Sequence, residues 1–254
     1  MKKILIGIIC CLFVYAFHQI THDKKNIPQI KDVLIVGTSA DYPPYASIDL
    51  KTGKIVGFDI DIAQEVARRL NKKIEIKDMP FNSLIFDLFA GQIDMIAAGL
   101  TPDERRKKTV LFSKSYLDSD PLLLVTKKEN PAIKKLSDVY GKPIAVNTGY
   151  TCDMYLSTIP EICLVRLEST ADALMALQAD SIYGFACSQS SLHLFLKTQK
   201  KEHSFQFFML PTQSDSYALA FAKTNRQLQA QVNIIIDTME QDQTLATLKE
   251  KWGI

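Results

Sequence analysis

Short apolar runs that read as strands alternate with segments of helical periodicity, and this alternation occurs twice, which restricts the chain to a pair of α/β lobes. In the first half, residues 33–36 form a β-rich run that ends in the turn-forming segment Gly37-Thr-Ser-Ala-Asp-Tyr-Pro-Pro-Tyr45. Lys51-Thr-Gly-Lys54 reads as a hairpin tip, and Ile62, Ala63, Val66, Ala67 and Leu70 recur at the spacing of one buried helix face. Ile74 and Ile76 alternate as a strand. Asn82 is suited to cap a helix carrying Leu84, Ile85, Leu88 and Phe89, with Gly91 suited to end it, and residues 95–98 supply the next strand.

The pattern restarts after residues 122–126, with strands at 142–146 and 164–167 and helices at 151–156 and 171–178. Residues 217–222 make a further strand, followed by a helix through Val232, Ile235, Ile236 and Met239 and a terminal helix reaching Trp252. This order predicts doubly wound, mainly parallel sheets, whose ligand sites lie at the carboxyl ends of strands. The expected organisation is a leader at 1–21, a discontinuous first lobe at 30–118 and 218–254, and a second lobe at 119–217. Two strand crossings, near residues 117–120 and 215–217, form a two-strand hinge.

At the amino terminus Lys2 and Lys3 precede residues 4–17, an uncharged run that reads as a secretory signal or a retained anchor. Val14 and Ala16 offer a cleavage site; Cys10 and Cys11 lie too early in the apolar run for a lipid-modified position. Without the leader, Cys152, Cys163 and Cys187 remain, an odd set for which buried free thiols or a Cys152–Cys163 bridge are the alternatives. The formal charge of +2 gives no electrostatic case for nucleic acid. No CxxC, HExxH or comparable cluster points to a metal, and no cofactor is implied.

The most specific local feature is Gly99-Leu-Thr-Pro-Asp-Glu-Arg-Arg106, directly after a strand. Thr101 fits a helix N-cap, Pro102 the first helical position and Glu104 the third. Free amides at that start, with Arg106 beside them, suit an anionic ligand group; an ordinary capped helix with Arg106 in a surface ion pair is the alternative. Gly149-Tyr-Thr151 offers a second helix start after a strand. Tyr42, Tyr45 and Phe81 fall in or beside post-strand loops, where they either flank a ligand or pack the core.

Taken together, Gly37-Thr-Ser-Ala-Asp-Tyr-Pro-Pro-Tyr45, Val56-Gly-Phe-Asp-Ile-Asp61, residues 95–106, Val110-Leu-Phe-Ser113, Gly141-Lys-Pro-Ile-Ala-Val146 and Lys251-Trp-Gly253 resemble the signatures of bacterial extracellular solute-binding proteins for polar amino acids. The resemblance covers residues 33–253 and implies a periplasmic-binding-protein-like fold that closes on its ligand. It assigns the ligand carboxylate to Arg106, backbone and hydroxyl contacts to Ala98, Gly99 and Thr101, a second-lobe contact to Thr151, and flanking positions to Tyr42 and Phe81. Ser39, Asn147 and Cys152 match positions that vary with specificity.

One position departs from the family. An acid that binds the α-ammonium is common at the site here occupied by Ser188, within Tyr183-Gly-Phe-Ala-Cys-Ser188. Ser39 likewise replaces an acid of several cationic amino-acid binders, with Asp41 two positions away. The resemblance implies the extracytoplasmic or periplasmic capture component of an ABC importer, a monomer that binds an amino acid or related carboxylate and docks on an inner-membrane permease. A secreted enzyme like the cyclohexadienyl dehydratases, or a membrane-tethered ligand sensor, are the alternatives the same architecture admits.

Overall fold

The computed structural model describes residues 32–199 and 202–254; the expected leader at 1–21 lies outside them. Strand β1 (Val33–Thr38) is followed by a small antiparallel sheet of β2 (Asp41–Tyr42), β3 (Ala46–Ile48) and β4 (Ile55–Val56), with Lys51 and Thr52 in the hairpin turn. Helix α1 (Phe58–Arg69) buries Ile62, Ala63, Val66 and Ala67, the face its spacing predicts, and carries acids in its first turn and arginines in its last. β5 (Lys73–Asp78), α2 (Leu84–Phe89), β6 (Met95–Ile96) and the short α3 (Glu104–Lys107) follow, before the long β7 (Val110–Asp120).

The second set begins beyond Pro121 with β8 (Leu122–Lys127) and continues through β9 (Pro143–Asn147), α4 (Thr151–Leu156), β10 (Cys163–Leu167), α5 (Thr170–Gln178), β11 (Gly184–Ser188), α6 (Gln189–Gln199) and β12 (Phe205–Met209). The chain then returns as β13 (Asp215–Ala222), α7 (Arg226–Gln241) and α8 (Thr244–Trp252).

Two five-stranded sheets result, ordered β5-β1-β6-β13-β7 and β10-β9-β11-β8-β12. In each, four strands run in one direction and a single strand, β13 in the first and β8 in the second, runs against them. The interior strand β9 is buried from Ile144 to Asn147, as a strand covered on both faces must be. The crossings between the sheets lie side by side: β13 pairs with β7, with Asp215 opposite Asp120 and Tyr217 opposite Leu117.

Two signature acids are explained by this packing. Asp59, at the start of α1, accepts hydrogen bonds from the Tyr116 hydroxyl (2.7 Å) and the Gly99 amide. Asp61 accepts from Lys251 Nζ (2.6 Å) and Trp252 Nε1 (2.7 Å), so the Lys251-Trp252 pair fastens the terminal helix to α1. Gly57 has φ +150, and a Cβ there would lie 2.0 Å from the Tyr45 carbonyl oxygen, so only glycine fits.

Two capping expectations are corrected. Helix α2 is preceded by a 3-10 turn, Phe81–Ser83, so Asn82 lies within that turn and Ser83 takes the cap position, its hydroxyl bonded to the Pro80 carbonyl (2.9 Å). Helix α3 is capped by Asp103 rather than Thr101: Asp103 Oδ1 accepts from the Arg106 amide at 2.8 Å, while the Thr101 hydroxyl is held by Asp215 at 2.7 Å. The three cysteines are free, and Cys163 is exposed, which corrects the buried alternative for that residue; Cys152 and Cys187 are buried.

Candidate ligand-binding site

The loops that follow β1, β5 and β6 in one sheet meet those that follow β9 and β10 in the other, which places the carboxyl ends of the parallel strands face to face. Arg106 lies at this junction and is only 4% exposed. Its Nη1 donates to the Thr101 carbonyl (3.0 Å), its Nη2 reaches across to the Gly149 carbonyl (2.9 Å), and its Nε is 3.3 Å from Asp103 Oδ2. Burial lowers the Arg106 pKa, and the Asp103 charge partly offsets this. The guanidinium therefore faces the interlobe junction, which answers the alternative of a surface ion pair.

Three aromatic rings fill the middle of the junction. Tyr150 stacks on Phe81 with centroids 4.2 Å apart and an interplanar angle of 18°, and it tilts against Tyr42 at 5.1 Å. The Arg106 guanidinium carbon lies 5.6 Å from the Phe81 ring centroid. Tyr42 shares a hydrogen bond with the Ser188 hydroxyl (2.6 Å) and another with Tyr217 (3.2 Å), so Ser188 is occupied by an uncharged partner. Tyr217 in turn donates to Asp120 (3.1 Å).

Gly99 follows β6 with φ +55, and a Cβ there would come 3.1 Å from Tyr42; this lets the backbone approach the cleft beside Ala98. Thr101 and Thr151, from opposite sides, both hydrogen-bond Asp215. Burial raises the Asp215 carboxyl to about 6, the two hydroxyls oppose the rise, the Asp120 charge adds to it and Arg106 opposes it. Cys152 and Cys187 lie close by, and burial pushes both thiols up. Asn147 is turned into its own sheet, its Nδ2 donating to the Leu167 carbonyl (3.4 Å) and its Oδ1 accepting from Thr170 (3.2 Å).

Beyond the Phe81–Tyr150 stack opens a cavity of about 550 Å³, lined from one sheet's loops by Ser39, Asp41, Asp78 and Phe81 and from the other's by Thr148, Tyr150 and Glu168. Its charged residues are all acids. Burial raises the Asp41 carboxyl, a 2.7 Å bond from Ser39 opposes this, and the charges of Asp78 and Glu168 raise it further. Ser39 thus donates to Asp41, the acid two positions away. Sequence reasoning singled out neither Asp78, Glu168 nor Asp215; Asp215 carried one signal, a charge at the head of a largely apolar strand.

The profile of bacterial extracellular solute-binding proteins, family 3, matches residues 34–254. The chain belongs to this family. It is 29% identical to the arginine-binding extracellular protein ArtP of Bacillus subtilis, over 99% of this chain and 98% of that protein. It is also 29% identical to the L-cystine-binding protein TcyA of Bacillus subtilis, over 87% of this chain and 81% of the relative. Among solved structures, the substrate binding protein of an amino acid ABC transporter matches at 37% identity and a TM-score of 0.80, covering 87% of this chain and 98% of that one. An ancestral arginine-binding protein bound to arginine matches at 30% identity and a TM-score of 0.82, covering 88% and 99%.

The family member is therefore an extracytoplasmic solute-binding protein with the two-lobed α/β fold, and its kinship is with binding proteins instead of the dehydratase alternative. Among the described residues no group of three or more His, Cys, Asp and Glu side chains could hold a metal, and no helix is long and apolar enough to cross a membrane.

Proposed function

We propose that this protein is the capture component of an ABC importer and that its solute is an α-amino acid with a cationic side chain, of the arginine class. The observation that carries the choice of side chain is the cavity whose charged lining is Asp41, Asp78 and Glu168, reached past the Phe81–Tyr150 stack from the buried Arg106. A solute spanning both places its carboxylate on Arg106 and its side-chain cation among the acids, with an aliphatic stem between aromatic rings. Names of relatives and neighbours that bind arginine support the same class.

In this reading the lobes are residues 30–118 with 218–254, and 119–217, and they close about the paired strands β7 and β13. Tyr42, Phe81, Ala98, Gly99, Thr101, Arg106, Thr151 and Ser188 surround the solute, Ser39 orients Asp41, and Cys152 packs the rear wall. Asn147 shapes the second-lobe loop through Leu167 and Thr170 instead of touching the solute. Residues 1–21 direct export or tether the chain, and the closed monomer presents its lobes to a permease in the inner membrane.

Calorimetric titration with L-arginine and its neutral isostere L-citrulline tests the reading. A lost charge-assisted hydrogen bond is worth roughly 1.5–3 kcal/mol, so citrulline is expected to bind about ten- to a hundredfold more weakly. Equal affinity for the two would refute the cationic class. No binding of any amino acid, together with no ligand-induced rise in Tm, would refute the receptor role itself.

A further inference from the structure

We infer that Asp215, at the head of the returning hinge strand, accepts the ligand's α-ammonium, so that Arg106 and Asp215 together read the two charges of a free amino acid. This rests on the amino-acid reading above and adds to it the group that distinguishes a free amine from a blocked one.

A zwitterion carries opposite charges on substituents of one carbon, and a closed site that holds it needs a cation and an acceptor of opposite sign side by side. Arg106 supplies the first, 4% exposed at the junction of the two sheets. Asp215, 5% exposed, lies within electrostatic reach of it and is hydrogen-bonded by two residues that face each other across the cleft. Thr101, in the loop after β6, donates to Asp215 Oδ1 at 2.7 Å, and Thr151, the first residue of α4, also hydrogen-bonds the carboxylate. The ion contact of Arg106 itself is with Asp103, at 3.3 Å, which leaves Asp215 held by hydroxyls.

A carboxylate has about four lone-pair positions, and two hydroxyl donors leave capacity for a cation. Its raised pKa, to about 6, is the consequence of burial that the present partners only partly offset. An arriving ammonium would supply the missing positive charge.

Of the other acids near the cleft, Asp103 pairs with Arg106, and Asp120 and Asp59 are engaged by hydrogen bonds. Asp120 accepts from the hydroxyls of Tyr45 (2.7 Å), Tyr217 (3.1 Å) and Ser190 and from the Ser190 amide (3.1 Å). Asp59 holds the Gly99 amide and the Tyr116 hydroxyl. Asp41, Asp78 and Glu168 line the cavity on the far side of the Phe81–Tyr150 stack. Ser188 carries no charge and is bonded to Tyr42. The counter-charge absent from the end of β11 is thus available at the start of β13.

The full chain is titrated with L-arginine and with Nα-acetyl-L-arginine at pH 7.5, as wild type and as Asp215→Asn. The wild type is expected to prefer the free amine by tenfold or more, and Asp215→Asn to reduce that preference to threefold or less by weakening L-arginine binding alone. The same preference in the wild type is expected to decline as pH falls below about 6, where Asp215 gains a proton; this second measurement needs no variant and so does not depend on whether Asp215→Asn folds. A preference that survives Asp215→Asn, or that is unchanged down to pH 5, overturns the assignment. Equal binding of the two compounds by the wild type overturns it while leaving the receptor role intact, whereas binding of neither removes the amino-acid reading and the assignment with it.

Discussion

Replacing Arg106 is the perturbation whose size can be worked from the structure. Its guanidinium donates to the Thr101 and Gly149 carbonyls at 3.0 and 2.9 Å. A ligand carboxylate displaces these neutral acceptors, so binding gains the difference between a two-pronged ion pair and two carbonyl contacts, not the whole of the ion pair. With each bond to a charged partner at roughly 1.5–3 kcal/mol, that difference is on the order of 2–4 kcal/mol. Arg106→Ala is then expected to weaken L-arginine binding about thirty- to a thousandfold by calorimetry. Arg106→Lys keeps the charge but loses the fork and should fall between the two.

The control is thermal unfolding without solute. Arg106→Ala strands two carbonyls but also removes a buried cation, and these effects oppose each other, so Tm should move by only a few degrees. Binding by Arg106→Ala within threefold of wild type, with its Tm preserved, would refute the carboxylate assignment.

Two further outcomes follow from particular contacts. Tyr150 stacks on Phe81 and tilts against Tyr42, and a solute entering that slot must eject it; with each aromatic pair worth roughly 0.5–1.5 kcal/mol, Tyr150→Ser should tighten L-arginine binding about fivefold or more, and weaker binding would show that the ring packs on the solute instead. Asp59 has its folded carboxyl raised by burial to about 6 from 3.8, so the folded state binds more protons than the unfolded state between those values, and this contribution to stability falls as pH rises from about 4 to 6. Asp59→Asn should flatten that part of the stability curve in urea unfolding; an unaltered slope would contradict a buried, proton-binding Asp59.

Much of the fold was legible because its elements are locally encoded: the helical face of Ile62, Ala63, Val66 and Ala67 and the continuous apolar run of β9 each identify themselves within a few residues. Strand β12 is hard to read from sequence because Phe205-Gln-Phe-Phe-Met209 lacks strict apolar–polar alternation. The cap of α3 was ambiguous for a physical reason. Thr101 and Asp103 both satisfy local preference, and the choice is made by Asp215, distant in sequence, which takes the Thr101 hydroxyl. In the site, Arg106 stood out through its motif, whereas Asp78, Glu168 and Asp215 come together only when separate loops and the returning strand converge. Asn147 sits at a strand end, where solute contacts are expected, yet its amide finds partners within its own lobe.

A high-resolution structure of the protein with L-arginine tests the central claim most directly. The account predicts the solute carboxylate on the Arg106 guanidinium in place of the Thr101 and Gly149 carbonyls, the Tyr150 ring displaced from between Phe81 and Tyr42, and the solute guanidinium among Asp41, Asp78 and Glu168. A complex in which Arg106 keeps both carbonyl contacts while the solute lies elsewhere would contradict it.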